Sequence, residues 1–268
     1  MPEKYVHVDG IATFVRHVGA TTLPEKPPVL SRGETVVCLH CAKWNSALFV
    51  DLLERLGQAH SPLAYDRPGH ARSGSLDSLG SIDKMSAHMR GLLDSFGVSK
   101  GVLLGASMGG MVALETALAA PERVRALVLV ATTARPRVTD AWLERLQLIT
   151  EGKARREFGR GDLAPTTPPE VLRRAFMEEI KTDPRVLYGN TLAVRDFARE
   201  DDLARVRCPT LIIVGEEDEE CGPASEVMAA RIPNARKVVL PQTGHNQPIV
   251  QPEILADHVL GFLAELPR

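Results

Sequence analysis

The chain reads as an α/β protein, a parallel sheet covered by helices on both faces. Three observations predict this. Short apolar runs of buried-strand type alternate with stretches of helical periodicity. At one junction, Val102-Leu-Leu-Gly-Ala-Ser-Met-Gly-Gly-Met111, a strand, a G-x-S-x-G turn and the start of a helix follow each other directly. The alternation is interrupted once, between Ala131 and Pro209, by a stretch that holds helical segments and no strand signal.

The elements follow in order. Tyr5–Val8 and Ile11–His17 are β-rich runs joined by Asp9-Gly10, a hairpin signal, so the chain opens with an antiparallel pair. A proline-rich loop, Leu23 to Leu30, leads to the buried-type strand Thr35–Leu39. Ser46–Leu56 has helical periodicity, Pro62–Tyr65 is a short strand, and Ile82–Phe96 is an amphipathic helix stopped by Gly97. Strand Val102–Leu104, helix Met108–Ala120 and strand Val124–Val130 come next. The interruption carries helices near Trp142–Ile149, Glu170–Ile180 and Leu187–Phe197, separated by Gly159-Arg-Gly and by Pro165–Pro169. Its basic cluster Lys153-Ala-Arg-Arg156 is matched by nearby acids and reads as a solvated face. The alternation resumes with strand Thr210–Val214, a helix over Ala224–Arg231, strand Arg236–Leu240 and a closing helix from Pro252 to Leu266.

At 268 residues the chain can bury one full core. A formal net charge of −2 with both signs interspersed gives no field that would favour nucleic acid or an anionic membrane. No apolar run approaches the roughly 20 residues that span a bilayer, and the first residues carry no signal-peptide core, so a cytoplasmic protein is expected. Of the four cysteines, Cys38 and Cys41 have C-x-x-C spacing. Cys38 lies in an apolar strand and no second ligand pair follows, so neither a metal nor a dithiol role is expected there.

The chemistry centres on Ser107. A serine on a tight strand-to-helix turn has its hydroxyl pushed out at the carboxyl edge of the sheet. That hydroxyl is a poor nucleophile unless a base takes its proton. His245, in the loop Pro241–Pro248 past the last strand, can reach the same edge. A carboxylate must in turn fix the imidazole tautomer. Asp218 is the candidate, a short turn beyond Gly215, although Glu216, Glu217, Glu219 and Glu220 surround it. The other position from which such an acid could come, after the preceding strand, reads Ala131-Thr-Thr-Ala134 and holds none.

Together these features resemble the α/β-hydrolase superfamily over nearly the whole chain. The matching segments are Cys38-Leu-His-Cys-Ala42, Tyr65-Asp-Arg-Pro-Gly-His-Ala-Arg-Ser73, Gly105-Ala-Ser-Met-Gly109, Gly215-Glu-Glu-Asp218 and Gly244-His245. The resemblance implies an eight-stranded, mostly parallel sheet with a helical cap inserted after strand six. It divides the chain into core (1–133), cap (134–203) and core (204–268). Ser-Met-Gly-Gly-Met, Pro121–Val130 and Trp142-Leu-Glu-Arg are loosely similar to the small-cap branch that includes 3-oxoadipate enol-lactonases. By family position, the amides of Ala42 and Met108 would form the oxyanion hole.

One stretch departs from the family pattern. Where glycine usually follows the first histidine, this chain has His40-Cys-Ala-Lys-Trp-Asn45. Cys41 restricts the backbone there, and a misdirected Ala42 N–H would cost about 10²–10³ in turnover. Trp44 either walls a substrate pocket or fills a gap between loop and cap, and Cys41 joins it as a candidate substrate contact. Lys43 reads as a solvated lysine, His40 as structural, and Ala71, another usual glycine position, as a loop variation.

The resulting expectation is a serine hydrolase of a carboxylic ester or lactone, with a small-molecule substrate and no required cofactor or metal. Epoxide hydrolase and haloalkane dehalogenase chemistry is disfavoured, because relatives of that kind carry an aspartate in place of Ser107. A carbon–carbon bond hydrolase, an acyltransferase and a weakly catalytic ligand-binding protein remain as alternatives.

Overall fold

A computed structural model describes residues 1–158 and 163–267. The Gly159-Arg-Gly separator lies outside the described residues. In chain order the elements are β1 (Glu3–Val8), β2 (Ile11–His17), β3 (Thr35–Leu39), α1 (Val50–Leu56), β4 (Ser61–Tyr65), α2 (Ile82–Ser95), β5 (Gly101–Ala106), α3 (Met108–Ala119) and β6 (Val124–Val130). There follow α4 (Asp140–Thr150), α5 (Pro169–Glu179), α6 (Pro184–Arg195), β7 (Thr210–Gly215), α7 (Cys221–Arg231), β8 (Ala235–Leu240), α8 (Gln247–Val250) and α9 (Pro252–Ala264).

The eight strands form one sheet in the order β1-β2-β4-β3-β5-β6-β7-β8. The β1–β2 and β2–β4 pairs are antiparallel and all others parallel. Antiparallel strands can be joined by a tight turn, here at Asp9-Gly10, while each parallel step needs a crossover helix. The central strands β5 and β7 are buried along their full length, which explains their unbroken apolar sequences. Successive side chains point to opposite faces, so the sheet divides its apolar residues between two cores. Val37, Leu39, Leu103, Leu127 and Leu129 pack with α2 and α3 on one face. Val36, Cys38, Leu104, Val128 and Val130 pack with α1 and α9 on the other.

The hairpin and strand expectations hold to within a few residues. Three differences have local causes. The predicted helix over Ser46–Leu56 opens as a 3₁₀ turn at Ser46–Phe49, capped by the Asn45 side chain accepting from the Ala47 amide at 2.9 Å. The helix expected from Ala224 starts at Cys221, because the Asp218 carboxylate accepts the Cys221 N–H at 2.9 Å and so satisfies its first turn. Pro223 is tolerated there, since a first-turn residue has no intrahelical partner for its N–H. A short helix, α8, also stands between His245 and α9.

Between β6 and β7 the chain leaves the sheet and forms α4, α5 and α6, with α4 packed on α6. Among the described residues, no helix is long and apolar enough to cross a membrane.

Candidate active site

Ser107 sits between β5 and α3 with φ +53° and ψ −121°, a backbone conformation that L-residues rarely adopt. Its surroundings hold it there. The Ser107 N–H donates to Val130 O at 2.9 Å, and the Thr132 hydroxyl donates to Ser107 O at 2.7 Å. Gly109 packs so tightly under β3 that a Cβ would overlap the Leu39 carbonyl, so α3 can start this close to the sheet only without a side chain there.

Asp218 lies in the turn after β7 and is 6% exposed. Its two oxygens are divided: Oδ1 accepts the Cys221 N–H at 2.9 Å, and Oδ2 lies 2.8 Å from His245 Nδ1. The Cys221 thiol is 3.8 Å from the same ring nitrogen. Ser107, His245, Ala42 and Met108 line a single cavity of about 460 Å³, together with Cys41 and Cys221. Pro136–Thr139, Trp142 of α4 and Leu187, Thr191 and Val194 of α6 also line it. The structure therefore brings together Ser107, His245 with Asp218, Ala42, Met108 and Cys41.

It does not bring Trp44 to the cavity. Trp44 is 1% exposed and packs in the core beside Cys38, Leu48 and Phe49, so the pocket-wall expectation is corrected. The large indole fills space under the loop, which buries more apolar surface than a pocket wall would. Lys43, expected in solvent, instead lines the cavity with its Nζ 3.7 Å from Glu179. Ala71 is more than a loop variation: it takes φ +41°, in the region where a Cβ is disfavoured.

The loop that lacks its glycine is held by side chains. Cys41 is not among the residues with positive φ, so its Cβ is compatible with the backbone. Arg67 donates through Nη1 to His40 O at 2.5 Å and through Nη2 to Cys41 O at 2.6 Å. The Arg67 amide donates to His40 Nε2 at 3.1 Å, which leaves the proton on Nδ1 to donate to Cys41 O at 2.9 Å. The peptide between Cys41 and Ala42 is trans, so clamping its carbonyl turns the Ala42 N–H the opposite way, away from Arg67 and His40. Asn190 of α6 spans further, 2.7 Å from Ala42 O and 2.9 Å from His70 Nε2, and Thr182 donates to Lys43 O at 2.8 Å. Burial, reinforced by the Arg67 charge, holds His40 and His70 well below the usual imidazole range, so both stay neutral. Arg67 is pulled down to about 10 by burial and remains a cation at neutral pH.

Sequence reasoning found no role for Arg67, Asn190 or Cys221. Arg67 lies in the quoted segment Tyr65–Ser73, but nothing local shows that its guanidinium folds back onto residues 40 and 41. Cys221 stands three residues after Asp218, the spacing at which a side chain caps a helix turn, and that was the available signal.

A family model described as the alpha/beta hydrolase family matches residues 36–258. RutD of Azorhizobium caulinodans, provisionally named a carbamate hydrolase, is 29% identical over 230 residues, covering 81% of this chain and 86% of RutD. The 2-hydroxymuconate semialdehyde hydrolase of Pseudomonas putida is 33% identical over 193 residues, covering 66% of this chain and 67% of that protein. Among solved structures, the enol-lactonase from Burkholderia xenovorans LB400 matches with a TM-score of 0.84 over 97% of this chain and 100% of its own. At 19% identity that likeness is one of fold.

Proposed function

We propose, on the premise that this chain belongs to the alpha/beta hydrolase family, that it is a serine hydrolase of carboxylic esters or lactones working through an acyl-enzyme. The observation that carries this reading is that Ser107, on its strained turn, and His245, hydrogen-bonded to Asp218, line the same cavity. His245 Nε2 takes the Ser107 proton as Oγ attacks the carbonyl carbon, and Asp218 steadies the imidazolium through Nδ1. The Ala42 and Met108 amides receive the charge that develops on the carbonyl oxygen. His245 then returns the proton to the leaving alkoxide. In the second half it removes a proton from water, which attacks the acyl carbon, and passes that proton to Ser107 Oγ as the acyl–oxygen bond breaks.

The segment 134–203 acts in this reading as a cap that selects the substrate. The cavity volume suits a small or medium molecule. Its walls mix apolar Met111, Leu187 and Val194 with Lys43, Arg137 and Glu179, so a substrate carrying both apolar and polar parts fits best.

A panel of short aryl esters and lactones tests the reading. The wild type turns over at least one class, and Ser107→Ala loses roughly 10⁴-fold or more in kcat while keeping its fold. Near-wild-type turnover by that variant would contradict the assignment. The 33% identity to a 2-hydroxymuconate semialdehyde hydrolase favours one second reading, carbon–carbon bond hydrolysis. The same triad would then cleave beside a ketone, and a vinylogous diketone would outpace every ester in the panel.

A further inference from the structure

We propose that Asp218, Cys221 and His245 form a binding site for a borderline-soft divalent cation such as Zn²⁺, and that filling it switches hydrolysis off. The three residues each offer one donor atom, and these atoms all lie within 4.8 Å of one another. Nδ1 of His245 is 2.8 Å from Asp218 Oδ2 and 3.8 Å from Cys221 Sγ. Tetrahedral zinc with ordinary N, O and S bonds has ligand–ligand edges of about 3.3–3.6 Å; both edges from His245 lie within about half an ångström of that range, and the third is no longer than 4.8 Å. Thiolate, imidazole and carboxylate together suit zinc and not magnesium or calcium.

Access comes from two sides. Cys221 and His245 face the 460 Å³ cavity that holds Ser107. A second cavity, of about 270 Å³, meets Asp218 and His245 and is lined by Glu217, Glu219 and Glu220. Those acids give a cation an attractive approach that does not pass the serine. Glu220 borders both cavities, where it or water can supply a fourth ligand.

Occupation acts through the tautomer of His245. Zn²⁺ takes the Nδ1 lone pair, the ring proton moves to Nε2, and the Cys221 thiol releases one proton to solvent. A ring protonated at Nε2 can donate toward Ser107 but cannot accept its proton, so the base is disabled. The binding stands on the donor geometry alone, whereas the inhibition rests on His245 acting as the base.

Cobalt(II) titration read by absorption tests the binding, because a cobalt–thiolate bond gives a near-ultraviolet charge-transfer band. The wild type and Cys41→Ala, in which the other cavity cysteine is removed, show the band, and Cys221→Ala does not. In parallel, zinc slows ester hydrolysis by the wild type, and magnesium at the same concentration does not. The zinc concentration for half inhibition, each protein measured against its own uninhibited rate, rises at least ~10-fold in Cys221→Ala. Cys221→Ser supplies the same comparison if the alanine variant fails to fold. No cobalt band in the wild type, or a band retained in Cys221→Ala, overturns the site whatever the activity. A wild-type band without zinc inhibition overturns the switch and contradicts the role given to His245.

Discussion

Ser107 and the Asp218–His245 pair face one cavity but are held there by different forces. The serine is fixed by backbone: a positive φ, hydrogen bonds to its own amide and carbonyl, and a glycine packed under β3. The pair is fixed by side chains on two loops, joined through one carboxylate that also caps α7. A backbone-fixed group is held by many contacts at once, whereas a side-chain-fixed group can be changed by moving one proton or one ligand. The site thus combines a rigid half with a tunable half, and the zinc switch proposed above acts on the tunable one.

Asp218→Asn breaks the comparison most sharply. The amide oxygen can still accept the Cys221 N–H, so α7 keeps its first turn, but the proton pattern offered to His245 changes. We expect kcat to fall about 10⁴-fold with the fold retained, checked by steady-state kinetics and circular dichroism. A loss below about tenfold would mean that another group orients His245.

Arg67→Lys tests whether the loop without its glycine is held by side chains. A lysine keeps the charge, but its compact ammonium does not reproduce the guanidinium fork that serves the carbonyls of His40 and Cys41 together. We expect kcat to fall about 10²-fold with KM nearly unchanged, the signature of a lost oxyanion donor. A rise in KM at constant kcat would place Arg67 in substrate binding instead.

Acid sharpens the same comparison per residue on a smaller scale. Burial depresses His40 and His70, and brings His88 down to about 4. Below pH 6.5 the unfolded chain binds protons that these folded imidazoles refuse. Stability is therefore complete above that pH and falls as pH drops toward the folded values, by up to about 1.4 kcal/mol per pH unit for each histidine. Urea midpoints at pH 7 and pH 5 measure this, and equal midpoints would contradict buried neutral rings.

The legible parts of the molecule are those whose cause is local. Strands β5 to β7 are buried on both faces and therefore read as apolar runs, and the elbow serine carries its own glycines. The placement of His245 and Asp218 side by side is legible from their positions after strands, since crossover topology delivers strand ends to one edge. The settings of Trp44 and Lys43 are not legible locally, because they depend on partners far along the chain: a core that also draws on β5 and α9, and a glutamate on α5. The clamp of Arg67 and Asn190 on residues 40–42 spans up to 148 positions and leaves no local pattern.

The account's central claim is that His245 activates Ser107. A fluorophosphonate probe followed by intact-mass measurement and peptide mapping tests it directly. The wild type gains one adduct, mapped to Ser107, Ser107→Ala gains none, and His245→Ala labels about 10²-fold or more slower. An adduct that persists in Ser107→Ala, or equal labelling rates for His245→Ala and the wild type, would contradict the account.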